Sequence, residues 1–92
     1  MLASSGQGAQ MQIRLEKIDP SKRQQRFYVM HIAQTLFGEW CLIREWGRIG
    51  TKGGQRLVNY VASRAEAEAA LYKRAAQKGR RGYQLRETLR TF

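Results

Sequence analysis

Apolar and polar residues alternate with a period of two through most of the chain, and the pattern changes to a helical one near residue 63. Residues 12–18 set Ile13, Leu15 and Lys17 against Arg14, Glu16 and Ile18, which predicts a strand at a sheet edge. Asp19-Pro20-Ser21-Lys22 reads as a turn, with proline preset for its second position. Residues 26–34 place Phe27, Val29 and His31 on one face and Tyr28, Met30 and Ile32 on the other. Both faces are apolar, so this strand is expected in the middle of its sheet. After a turn through Gly38, residues 40–49 form a third strand. Trp40, Leu42, Arg44, Trp46 and Arg48 share one face, while Cys41, Ile43, Glu45 and Ile49 share the other. Gly47, between two large residues, implies a bulge or a close backbone approach, and a bulge would re-aim Arg48. A fourth strand spans residues 55–61, with Leu57, Asn59 and Val61 opposed to Arg56, Val58 and Tyr60.

Ser63-Arg64-Ala65-Glu66 is a capping box and opens a helix rich in alanine. Ala67, Leu71 and Ala75 recur every four residues and are expected to face the sheet; Gly79 is the expected stop. Gly82-Tyr83-Gln84-Leu85 can add a short strand. These elements predict an α+β fold, an antiparallel sheet of four to five strands with one helix packed across one face. Residues 1–11, without charge and rich in Ser, Gly, Ala and Gln, are expected to be a flexible tail; residues 12–92 then form a single domain.

Charge narrows the choice of partners. Seventeen Lys and Arg oppose seven Asp and Glu, for a formal net charge of +10 and a pI near 10.7. This implies attraction to polyanions, nucleic acid first, then an anionic membrane or an acidic protein. The membrane is disfavoured: no apolar run approaches the ~20 residues of a span, and no long helix pairs a bulky apolar face with a basic one. The N-terminus lacks a secretory pattern, and the single cysteine, Cys41, has no internal partner, so a cytoplasmic protein is expected. No Cys/His cluster points to a metal, and no cofactor is expected. A monomer is the expected state.

The richest chemistry lies in residues 38–54, GEWCLIREWGRIGTKGG. Alternation sets the Trp46 indole between the guanidinium groups of Arg44 and Arg48. Such a ring can cover a base or sugar while the arginines meet phosphate. A strand tryptophan is also a common core residue, and spacing alone leaves both roles open. Gly50, Gly53 and Gly54 frame Thr51-Lys52, a hairpin tip able to swing Lys52 toward phosphate; no Walker or GxGxxG pattern is present. Lys22, Arg23 and Arg26 read as a solvated hairpin loop. Residues 78–90, with Lys78, Arg80, Arg81, Arg86 and Arg90 against Glu87, suit either a solvated tail or phosphate contact.

Trp46-Gly47-Arg48-Ile49-Gly50 resembles the signature of the WGR domain, a module of poly(ADP-ribose) polymerases and of small stand-alone bacterial proteins. The strand opening Phe27-Tyr28-Val29, the Gly38 turn, the Gly-rich loop, the strand at 55–61 and the Ser63-capped helix extend the resemblance over residues 12–85. It implies contact with DNA near a strand end, with Trp46 stacking on a terminal sugar or base and Arg48 supporting that contact or meeting phosphate. It also implies a short strand near residue 83, with Tyr83 and Leu85 packed. The chain has no polymerase catalytic domain, so a relay to one is not expected within it. The function expected is a small nucleic-acid-binding module, DNA ahead of RNA, with low base specificity. Its contacts are expected from Trp46, Gly47, Arg48, Arg44, Lys52, Arg56, Arg80 and Arg81. The alternative is a regulatory adaptor for an acidic protein partner, which predicts a buried Trp46. An enzyme is not expected. Cys41 lies in a strand, His31 has no nucleophile near it in sequence, and Asp19 and the glutamates are scattered.

Overall fold

The computed structural model describes residues 9–90. Strand β1 (Ala9–Asp19) leads through a 3-10 turn (Pro20–Lys22) into β2 (Gln24–Gln34). Then follow β3 (Trp40–Arg48), β4 (Gln55–Val61), helix α1 (Arg64–Arg80) and β5 (Gln84–Arg90). The strands form one five-stranded antiparallel sheet in the order β4-β3-β2-β1-β5. The α+β architecture and the central place of β2 agree with the alternation.

Two expectations at the chain ends are corrected. First, β1 is not an edge strand, because β5 pairs along its outer side, with Leu15 opposite Leu85 and Met11 opposite Arg90. The expected four-residue strand is thus a seven-residue one, and it builds Arg86 and Arg90 of the basic C-terminal segment into the sheet. Second, the sheet begins at Ala9, so Met11 is not part of a tail. Met11 is only 4% exposed and continues the inward series of Ile13 and Leu15. Residues 1–8 of the expected tail, 1–11, lie outside the described residues.

The core is a single layer between sheet and helix. Met11, Ile13, Leu15, Tyr28, Met30, Ile32 and Leu42 meet Ala67 and Leu71, with Trp40, Trp46, Val61, Ala75 and Tyr83 packed around them. Small residues on α1 let its backbone approach the sheet closely. The Ser63 Oγ accepts from the Glu66 N–H at 3.1 Å, and the Glu66 carboxylate accepts from the Ala62 N–H at 3.3 Å, so the helix starts where its capping box stands. Gly79 does not stop it. The chain turns instead at Gly82, whose φ of +97° is open to glycine, while the Lys78 carbonyl accepts from the Arg81 and Tyr83 N–H groups. Tyr83 packs on the core as expected, but Leu85 is 58% exposed. It lies on the outermost strand, whereas α1 packs over β2, β3 and β4.

Candidate nucleic-acid interface

The β2–β3 pairing runs without interruption and sets Tyr28 opposite Trp46, Phe27 opposite Gly47 and Arg26 opposite Arg48. No bulge intervenes, so Trp46 and Arg48 stay on the helix-covered side with Arg44, as the alternation predicts. Gly47 answers to close approach instead. A Cβ there would stand 3.2 Å from the Phe27 ring and 3.3 Å from the Gly54 Cα. Gly54, at φ +152°, crosses over the strand so tightly that a Cβ would come within 2.6 Å of the Trp46 carbonyl oxygen. The glycine loop therefore closes against the backbone of the Trp-Gly pair.

Trp46 is partly buried. Its ring stacks on Tyr28, with centroids 5.6 Å apart and planes inclined by 18°, and the Arg44 guanidinium lies 5.9 Å from its centroid. Arg44 Nη1 donates to the Tyr28 hydroxyl at 3.2 Å, and its Nε donates to Asn59 Oδ1 at 3.2 Å. The indole is thus neither projecting nor sealed. One face is braced by a buried phenol, and the residue lines an open cleft.

That cleft, of about 540 Å³, lies where β2, β3 and the glycine loop meet the 3-10 turn, and Lys22, Arg23, Arg26 and Arg48 line it beside Trp46, Gly47 and Gly54. Arg23 is the one described non-glycine residue at positive φ, 52°, a conformation that most side chains avoid. Asp19 caps the turn. Its Oδ1 accepts from Ser21 Oγ at 2.7 Å and from the Lys22 N–H at 3.3 Å. The Ser21 bond, with help from the Lys22 amide and charge, holds that carboxyl below its ordinary range. Arg26 and Arg48 face each other directly across the strand pair, a like-charge placement that destabilises a sheet. Among the described residues the ion pairs are Arg14–Glu16, Arg64–Glu68 and Arg86–Glu16, so none includes Arg23, Arg26 or Arg48. Cations held together without carboxylates, next to an aromatic ring, suit a phosphate-bearing ligand.

The expected contact residues divide. Trp46, Gly47 and Arg48 come together in the cleft. Arg44 lies behind them, engaged with Tyr28 and Asn59. Arg56 turns to the opposite face, across from Glu45, and lines a second concavity of about 490 Å³ with Phe27 and Val29, which Trp46 and Gly54 also border. Lys52 is exposed in the loop and lines neither depression, while Arg80 and Arg81 sit at the end of α1. Lys22, Arg23 and Arg26, read from the sequence as a solvated loop, are exposed and line the cleft. The register that brings Arg26 opposite Arg48 is centred on Phe37, one residue before the turn glycine, and the sequence did not mark it. The open face also holds the groups considered for chemistry. Burial raises the Cys41 thiol above its ordinary range, and its Sγ donates to the Ala33 carbonyl at 3.6 Å.

Comparison with known proteins gives the family. The family model for the WGR domain matches residues 11–90. An uncharacterized protein of Sinorhizobium fredii (strain NBRC 101917 / NGR234), y4dW, is 43% identical over 75 residues, which cover 82% of this chain. The matched region is 36% of that protein's own length, so the chain spans little more than a third of this relative. No solved structure matches the chain. With the Trp-Gly-Arg signature lining its basic cleft and the family model spanning the helix and all but the first two residues of the described sheet, the chain belongs to the WGR domain family.

Proposed function

We propose that this domain binds nucleic acid, DNA in preference to RNA, through the cleft beside Trp46. One observation carries the reading: Arg26 and Arg48 stand directly opposite each other, without acidic partners among the described residues, at the edge of a half-buried indole. Phosphates supply the missing negative charge, and Arg23, Arg26, Arg48 and Lys22 meet them. The remaining surface of the Trp46 ring takes a sugar or base at a strand end. Contacts of this kind carry little base specificity, because phosphate and stacking contacts do not read base edges.

The test is fluorescence anisotropy of a labelled 20-base-pair blunt duplex at several salt concentrations, with a duplex RNA beside it. The expected result is binding that weakens linearly on a log–log salt plot, each of Arg26→Gln and Arg48→Gln reducing the slope by about one. Trp46→Ala weakens binding with little change in slope. Absence of binding at low salt, or equal binding by a folded Trp46→Ala variant, removes the reading.

The adaptor reading draws on a different feature. Leu36 and Phe37 are exposed at the β2–β3 turn, the latter by 90%, at the far end of the hairpin from the cleft. An apolar tip suits a protein contact better than a phosphate one. Nuclease-treated pull-down from the native host decides it: one stoichiometric protein retained, and lost in Phe37→Ser, supports the adaptor.

A further inference from the structure

On the helix side of Trp46 a second group of cations gathers around Lys78. Its ammonium lies 4.5 Å from the Tyr28 ring centroid and 5.4 Å from that of Tyr83. Tyr28 is the same ring that braces Trp46 and accepts from Arg44. Arg74 lies one turn before Lys78 on α1, the Arg81 N–H donates to the Lys78 carbonyl at 2.9 Å, Arg26 stands two residues before Tyr28 on the same face of β2, and Arg44 bonds the Tyr28 hydroxyl, so the charge of all four reaches Lys78. Burial first, and then these four like charges, hold its ammonium below the ordinary lysine range. None of the five cations enters the ion pairs among the described residues. Two aromatic faces offset part of the repulsion, as does the negative end of α1. Neither supplies a counter-charge.

We propose that Lys78, Arg74, Arg81 and Arg26 form a second phosphate-binding locus, joined to the Trp46 cleft through Arg26, so that the ligand is a phosphodiester backbone laid across both. This deepens the function proposed above and rests on it for the cleft. Arg26 belongs to both places: it lines the cleft, and it shares a face of β2 with Tyr28, the ring on which Lys78 sits. The Tyr28–Trp46 stack forms the wall between them. A mononucleotide reaches only one locus. A strand carrying successive phosphates reaches both and relieves both like-charge clusters. The groups here are point charges and forks without base-reading partners, so the contact is to backbone.

The experiment measures the salt dependence of binding of the labelled 20-base-pair duplex by wild type, Lys78→Met, Lys78→Arg, Arg81→Gln and Arg48→Gln. Lys78→Met keeps the apolar stem against Tyr28 and removes the charge. The expected result is a slope lower by about one and binding weaker by roughly 3- to 10-fold at low salt, with Lys78→Arg restoring both. Arg81, exposed in a turn, gives the same direction of loss without touching the core, which guards against a folding defect in Lys78→Met. Wild-type slopes in both Lys78→Met and Arg81→Gln, with a reduced slope in Arg48→Gln, overturn the second locus and leave the cleft standing. Reduced slopes in the first two with a wild-type slope in Arg48→Gln overturn the cleft and keep the locus at Lys78.

Discussion

The two ends of β3 carry nearly the same device and differ in what surrounds it. Trp40 and Trp46 lie on the same face of one strand, both partly buried against the core, and each has an arginine near its ring: Arg64 at 6.0 Å from Trp40, Arg44 at 5.9 Å from Trp46. At the Trp40 end, Arg64 lies 3.4 Å from the Glu68 carboxylate, and the adjoining turn presents Leu36 and Phe37. The Thr35 hydroxyl there accepts from the Phe37 and Glu39 N–H groups, so the turn is closed by its own hydrogen bonds. At the Trp46 end, cations from the 3-10 turn, β2 and β3 converge on a cleft, with two glycines pressed together beneath it. A ring beside a guanidinium is therefore common to both ends. Unanswered charge and an open approach are what set the Trp46 end apart.

The largest test of this contrast is backbone geometry. Gly54→Ala forces a Cβ onto the Trp46 carbonyl and is expected to destabilise the fold by about 2–3 kcal/mol. Gly38→Ala, at the other end, meets nothing nearer than the Gln34 amide at 3.9 Å and incurs only the strain of its φ of +85°, about 1 kcal/mol. Urea denaturation of both variants measures the gap; equal losses would remove the distinction in backbone packing. Next comes the ring itself. Trp46→Ala should weaken duplex binding by roughly 5- to 100-fold, the scale of one stacked base. Trp40→Ala should lower the melting temperature yet keep the affinity within about twofold while folded. A matching loss of affinity in both would show that the rings act only through the core.

A smaller effect is expected from Arg64→Gln. Its ion pair is exposed, so stability should change by less than about 0.5 kcal/mol and the salt slope of binding should not move. The smallest concerns His31, on the face without the helix and away from both ends. Burial, reinforced by Arg56 and opposed by Glu45, holds its pKa below the ordinary 6.5. Between that lowered value and 6.5 the unfolded chain binds more protons than the folded one, so stability rises with pH through that window. Acidifying from neutrality through the window should lower the melting temperature slightly, and His31→Gln should flatten that dependence. A steeper dependence in the variant would contradict the direction.

Much of this was legible in the residues. Period-two alternation located β2, β3 and β4 and sorted their faces. Ser63 and Glu66 marked where α1 begins, and Ala67 and Leu71 marked its buried side. The plainest error has a simple cause: local pattern does not say what lies alongside. β1 was read as an edge because its partner β5 arrives some seventy positions later. Gly79 was read as a stop, but the helix runs one residue past it, to Arg80, and Gly82 makes the turn. Arg56 was grouped with Trp46 by proximity in sequence, while the strand's own alternation turns it to the other face.

From composition and pattern alone came the α+β class, the excess of positive charge and the importance of the Trp-Gly-Arg strand, because these depend on residue type and on periods of two and three to four. Tertiary structure alone decided which cations share a surface. Pairing in register puts Arg26 against Arg48, and the crossing of α1 over the sheet brings Lys78 onto Tyr28. Like charges distant in sequence come together only because the apolar faces beneath them must meet.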